Sequence, residues 1–259
     1  MSRRVLVTGA TSGIGEAFAL WYADKASELV LVGRNKSELD RVAHALRSRG
    51  VHAEVIVADL AQKDGVESVG AQCGAVDVLV MNAGVTHAAK IGTSDRDQLD
   101  ELAYLMSAGI VRLSELVVPR MVERGSGDVV IVSSIATFTP MRKAGPYAAA
   151  KTYATSYARS LALEVKSRGV RVVAVCPGYV RTDLHRRAGL DHLTKSVPGW
   201  MWLKPDDVVR ATTRALRRGK TVVVPGLVYR IALPFLASST AQRLWRRMTR
   251  RSSSTSSQS

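Results

Sequence analysis

Seven short runs of aliphatic and β-branched residues recur along this chain, most of them followed by a stretch with helical periodicity. This alternation limits the fold more than any other feature. The runs cover residues 5–7, 29–32, 53–57, 76–80, 129–132, 170–175 and 222–224. Most are apolar at consecutive rather than alternate positions, which suits strands covered on both faces. Between them, the pattern predicts helices over about 13–24, 35–49, 94–124 and 147–166, and a short one ending near 72. Strands alternating with helices imply an α/β fold: a doubly wound parallel sheet of about seven strands, right-handed crossovers and helices on both faces. One domain is expected over residues 1–251, followed by a disordered Ser-rich tail at 252–259.

Composition narrows the function classes. Of 259 residues, 46% are apolar and 23% charged, enough for a sizeable core. Aromatics make up only 5%, and no nucleic-acid reading motif is present, so a nucleic-acid partner is not expected. Cys73 and Cys176 form neither a disulfide framework nor zinc-ligand spacing, and no histidine pair has metal-ligand spacing. No metal is expected, and the compartment is read as reducing and cytoplasmic.

Charge is unevenly placed. Residues 181–259 hold 16 Lys and Arg against 4 Asp and Glu, a net +12; the first 180 residues carry the other +3. Around Leu244, Trp245 and Met248 crowd Arg243, Arg246, Arg247, Arg250 and Arg251. Such a basic amphipathic segment, within about 227–251, either meets a membrane face peripherally or forms a solvated surface or oligomer helix.

In open α/β sheets ligands bind beyond the carboxyl ends of the strands, so the residues following each run are the candidates for chemistry. After the first run come Thr8, Gly9, Thr11, Ser12, Gly13, Ile14 and Gly15. Three glycines between strand and helix permit a tight turn and leave a helix N-terminus to hold a pyrophosphate. After the second run stands Arg34, where a carboxylate would hold a ribose hydroxyl; a guanidinium suits a 2′-phosphate and favours NADP(H) over NAD(H). After the fourth come Asn82, Ala83 and Gly84, small enough for a cofactor to lie on the backbone. After the fifth come Ser133 and Ser134, then Tyr147 and Lys151, one helical turn apart. An adjacent ammonium lowers the phenol's pKa from ~10 and makes it a usable proton donor to a developing alkoxide. Ser134 can hold the same oxygen. After the sixth come Pro177, Gly178, Val180 and Thr182.

Together with Asp59 and Leu60, these motifs resemble the short-chain dehydrogenase/reductase family over about residues 3–225. More loosely, the chain is similar to actinobacterial members that reduce 3-oxoacyl groups or other ketones. The resemblance implies a Rossmann-type domain, a nicotinamide cofactor, and a homodimer or homotetramer. It implies that Tyr147 is the general acid/base, that Lys151 lowers its pKa and bonds the nicotinamide ribose, and that Ser134 orients the substrate carbonyl. It further implies that Asp59 touches the adenine region and that Val180 and Thr182 touch the nicotinamide end.

Two positions depart from the family pattern. Met106 stands where members commonly carry an asparagine that holds a relay water near the lysine, and a thioether cannot replace an amide there. Either Ser107 or a backbone carbonyl substitutes, or the enzyme is slow, or the chain is an NADP-binding sensor or scaffold. Ser12 stands where NADP-preferring members often have a basic residue, so the NADP expectation rests on Arg34, aided by Lys36. The substrate segment is expected at 183–204. There Leu184, Leu190, Leu193, Val197, Trp200, Met201, Trp202 and Leu203, with Phe138 and Met141, form either a cleft for a hydrophobic carbonyl substrate or ordinary packing.

Overall fold

A computed structural model describes residues 3–86, 91–139, 144–182 and 197–238. Seven strands form one parallel sheet: β1 (Arg4–Thr8), β2 (Glu28–Gly33), β3 (His52–Val57), β4 (Val78–Met81), β5 (Gly127–Val132), β6 (Val170–Val175) and β7 (Val222–Val223). Their order is β3-β2-β1-β4-β5-β6-β7, and every pairing is parallel. The order reverses between β1 and β4, which opens a crevice at their carboxyl ends.

The continuous apolar runs have a simple cause. Successive side chains of a strand point to opposite faces, and here both faces are covered. Val5, Val7, Leu29, Leu31, Val78, Val80, Val130 and Val173 enter one core, beneath α1 (Gly13–Tyr22), α2 (Lys36–Arg47) and α7 (Pro205–Arg217). Leu6, Val30, Leu79, Val129, Ile131 and Val172 enter the other, beneath α3 (Lys63–Gln72), α5 (Ala108–Arg124) and α6 (Gly145–Val165). Each fully buried Val or Leu contributes about 1.5–3 kcal/mol.

The helix expected over 94–124 is two helices, α4 (Arg96–Met106) and α5. They meet at Ser107, whose φ and ψ of −135° and −87° are not helical. Its N–H donates to Tyr104 O at 3.3 Å, while its carbonyl accepts from Ile110 and Val111. Its hydroxyl donates back to Ala103 O. A serine that bonds its own backbone in this way competes with the helical ladder. By length and hydropathy alone Arg96–Arg124 would cross a membrane, but Leu113, Val117 and Met121 are buried in the core. The last helix among the described residues, α8 (Leu227–Ala237), follows β7.

Opposite the crevice, Asp128 is buried and paired with Arg171 at 2.7 Å and Arg3 at 2.5 Å. On β2 and β3, Glu28, His52 and Glu54 bring their ligand atoms within 4.8 Å of one another. Arg4 already ion-pairs with both of those carboxylates, so a cation there would compete with a guanidinium.

Candidate active site

The crevice is built from the end of β1 upward. Thr8 Oγ1 accepts the backbone N–H groups of Asn82 (2.9 Å) and Ala83 (3.0 Å). Asn82 Nδ2 donates in return to the carbonyls of Thr8 and Gly9, both at 3.1 Å. This ties the glycine turn to the end of β4 and leaves no room for larger residues. A Cβ on Gly15 would stand 2.1 Å from Gly9 O; one on Gly13, whose φ is +58°, would stand 2.7 Å from Thr182 Cγ2. Ser12 precedes α1 without capping it through its side chain. The first-turn N–H groups and the positive end of the helix are thereby left for a pyrophosphate, so the cradle fits a dinucleotide. A cleft of about 490 Å³ lies at this turn, lined among others by Thr11, Ser12, Gly13, Arg41, Arg181 and Thr182.

On the adenosine side, Arg34 follows β2 with its guanidinium 3.9 Å from an Asp59 carboxylate oxygen; its side chain is 63% exposed. Asp59 Oδ1 accepts the Ala61 N–H at 3.0 Å. Leu60 is buried and lines a small cavity of about 20 Å³ with Thr8, Ala83 and Ile110.

The end of β5 and the first turns of α6 supply the remaining groups. Ser134 opens a 3-10 turn, Ile135–Phe138, and its Oγ accepts the Ala136 N–H at 3.2 Å. Tyr147 and Lys151 stand one turn apart on α6. Ser133 and Thr155, which sequence reasoning missed as supports, fasten that turn to β5. Ser133 Oγ donates to Lys151 O at 2.9 Å and shares a 2.7 Å hydrogen bond with Thr155 Oγ1. The legible signal was Thr155, four residues after Lys151 and so on the same helix face.

The electrostatics differ from expectation. Lys151 is only 5% exposed, and its Nζ donates to Val132 O at 2.9 Å. Burial lowers its pKa from 10.5 to about 8. Burial also raises the Tyr147 phenol above its ordinary value, opposed by a hydrogen bond with Ser134. Lys151 Nζ lies 5.7 Å from the Tyr147 ring centroid. Between about pH 8 and 10.5 the unfolded chain therefore holds a proton that folded Lys151 has lost, so stability rises with pH across that window. Below it, the buried ammonium weakens the fold. Lys151→Met is expected to flatten that rise, read as urea midpoints of the nucleotide-free protein from pH 7 to 10.

Met106 is fully buried with Leu102 and Ala150, and Tyr147 and Val85 pack against this group. A Cβ on Gly84 would lie 3.2 Å from Met106 Sδ and 3.5 Å from Lys151 Nζ. Among the expected substitutes for the missing amide, the Ser107 hydroxyl is turned to its own helix, at Ala103 O.

The loop after β6 bridges the two halves. Pro177 O accepts the Ile135 N–H at 3.0 Å, and Val180 is buried and pairs with Leu203. Thr182 reaches the glycine turn. The residues singled out from sequence therefore lie along one rim, at the carboxyl ends of β1 to β6. Of the expected substrate segment, Trp200 is 67% exposed, whereas Met201, Leu203 and Phe138 pack against the core. Met141, residues 183–196 and the basic and Ser-rich stretch 239–259 lie outside the described residues.

Three comparisons agree with this architecture. The family model for short chain dehydrogenase matches residues 3–192. A very-long-chain 3-oxoacyl-CoA reductase from Anas platyrhynchos is 32% identical over 189 residues, covering 70% of this chain and 61% of the relative. A short-chain dehydrogenase from Sphingobium yanoikuyae, solved with NADPH, is 29% identical; the match has a TM-score of 0.80 and covers 99% of this chain and 96% of the other. A bulky-bulky ketone specific alcohol dehydrogenase from Comamonas testosteroni is 26% identical, with a TM-score of 0.77 and 99% and 95% coverage. With its family model spanning most of its length and its Rossmann sheet complete, the chain belongs to the short-chain dehydrogenase/reductase family of oxidoreductases.

Proposed function

We propose that this protein is an NADPH-dependent carbonyl reductase that converts a lipid-like ketone, such as a 3-oxoacyl thioester or a steroid, to a secondary alcohol. The observation that carries the reading is the meeting of Ser134, Tyr147 and Lys151 at the junction of β5 and α6, on the rim that also holds the glycine turn. When bound, the nicotinamide supplies the hydride that reaches the carbonyl carbon. Tyr147 Oη gives its proton to the carbonyl oxygen as negative charge develops there, worth about 10²–10⁴ in rate for a positioned acid. Ser134 Oγ holds the same oxygen by a second hydrogen bond. Lys151 stays at the ribose and, once protonated beside the phenol, stabilises the phenolate left after proton transfer.

Gly9, Gly13 and Gly15 hold the pyrophosphate, and Arg34 pairs with the adenosine 2′-phosphate. The NADPH complex of the Sphingobium relative supports the cofactor reading. The names of the Anas and Comamonas relatives support a long or bulky ketone. Arg34→Ala is expected to weaken NADPH binding about 10- to 100-fold, the worth of one charge-assisted pair, and to leave NADH binding unchanged. Fluorescence titration with both nucleotides reads the difference. The assembly we propose is a cytoplasmic homodimer or homotetramer, which light scattering would count.

The test of the whole reading is oxidation of NADPH against NADH over ketones of increasing chain length. Turnover that rises with chain length and prefers NADPH is expected. Met106 favours a second reading, an NADP-binding sensor or scaffold. Binding of NADPH without turnover on any ketone would support it, and Met106→Asn would then be tried for gained activity.

A further inference from the structure

Tyr229 lies on α8, outside every motif described above, and is only 3% exposed. Its ring fills the space over Gly178, where a Cβ would stand 2.0 Å from Tyr229 Cζ. Its hydroxyl accepts the Tyr179 N–H at 3.0 Å and donates to Met201 O at 2.6 Å. One phenol thus joins two stems: 177–182, which leads into the expected substrate segment, and 199–203, the far end of that segment. The stems are also paired directly, by Arg181 N–H to Leu203 O and Leu203 N–H to Tyr179 O, both at 2.9 Å. The entering stem is anchored at Pro177 O on the turn after Ser134, and at Thr182 on Gly13. It therefore runs from the turn after Ser134 to the glycine turn.

We propose that Tyr229 is a positioning residue: through its ring on Gly178 and its hydroxyl between Tyr179 and Met201, α8 sets the height of the loop over the nicotinamide half of the cofactor. This rests on the nucleotide-binding reading above. A hydroxyl that satisfies one part-buried donor and one acceptor at once cannot be removed without leaving both unpaired or moving both stems. The adenosine half is assigned to Arg34 and Asp59, at the ends of β2 and β3, whereas the hydrogen bonds described for Tyr229 go to Tyr179 and Met201.

Tyr229→Phe keeps the ring over Gly178 and removes only the bridge, so the fold is expected to survive. Two ligands separate a local role from a general one: NADPH spans both halves of the site, and adenosine 2′,5′-bisphosphate reports the adenosine half alone. The expected result is a roughly tenfold weaker Kd for NADPH with the bisphosphate Kd changed less than twofold. Tyr229→Ala should widen that gap. Unchanged affinity for both ligands, or equal loss for both, overturns the inference while leaving the nucleotide reading intact. Wild-type protein that binds neither ligand overturns the nucleotide reading, and this inference with it.

Discussion

Tyr147→Phe is expected to lower kcat by about 10³-fold or more while changing NADPH affinity less than about threefold. The substitution removes one oxygen. The ring keeps its packing beside Met106 and Ala150 and its position over Lys151 Nζ. Of the other groups at the junction of β5 and α6, Ser134 is a far weaker acid, and Lys151 is buried with its Nζ turned to Val132 O. Burial raises the phenol's pKa and so keeps it protonated at neutral pH, the form that reduction needs. Alcohol oxidation needs the phenolate, so its rate should climb with pH while ketone reduction declines. Steady-state kinetics on the preferred ketone, beside fluorescence titration with NADPH, checks both halves of the expectation. A parallel collapse of turnover and binding would remove Tyr147 from the acid's role.

Gly15→Ala should have the second largest effect, and its sign is decided by two opposing magnitudes. Alanine in a helix is worth up to about 1 kcal/mol over glycine, which alone would stabilise the protein. Against that, the added Cβ would lie 2.1 Å from Gly9 O and 2.5 Å from Asn82 Nδ2. The carbonyl is backbone in a turn fastened to β4, so relief requires the turn to open. Overpacking of this kind costs about 1–3 kcal/mol. Net destabilisation of about 1–2 kcal/mol is expected, together with NADPH affinity at least a hundredfold weaker, because the displaced backbone is the proposed phosphate cradle. Gly145→Ala is the matching control. It sits at the start of α6 with nothing within 4 Å of an added Cβ, so stability should hold or rise. Denaturation midpoints and nucleotide titrations of the two variants give the comparison.

The strands and the rim were legible from sequence because burial on both faces writes itself as uninterrupted aliphatic runs. Glycines, Ser134 and the Tyr147–Lys151 spacing also sit at recognisable strand ends. Local signals failed where tertiary contact decides. At the break between α4 and α5 the sequence offers only Gly109, two residues past Ser107, and a lone glycine is tolerated inside a helix; the break shows in how the Ser107 hydroxyl and N–H bond back to the preceding turn. The charge state of Lys151 depends on how deeply α6 is seated against β5, which Ser133 and Thr155 fix across 22 residues. Tyr229 reads as one aromatic in a mixed stretch. Its place over Gly178, 51 positions earlier, is visible only once α8 folds back across the loop after β6.

The proposed reaction requires the Tyr147 phenol and the Lys151 ammonium to flank the reactive end of a dinucleotide whose phosphates rest on the glycine turn. A crystal structure of the NADP⁺ complex tests it most directly. The pyrophosphate is expected on the first turn of α1, Lys151 Nζ bonded to the nicotinamide ribose, and Tyr147 Oη beside the C4 edge of the ring. A nicotinamide lying away from α6, or phosphates bound elsewhere than on α1, would contradict it.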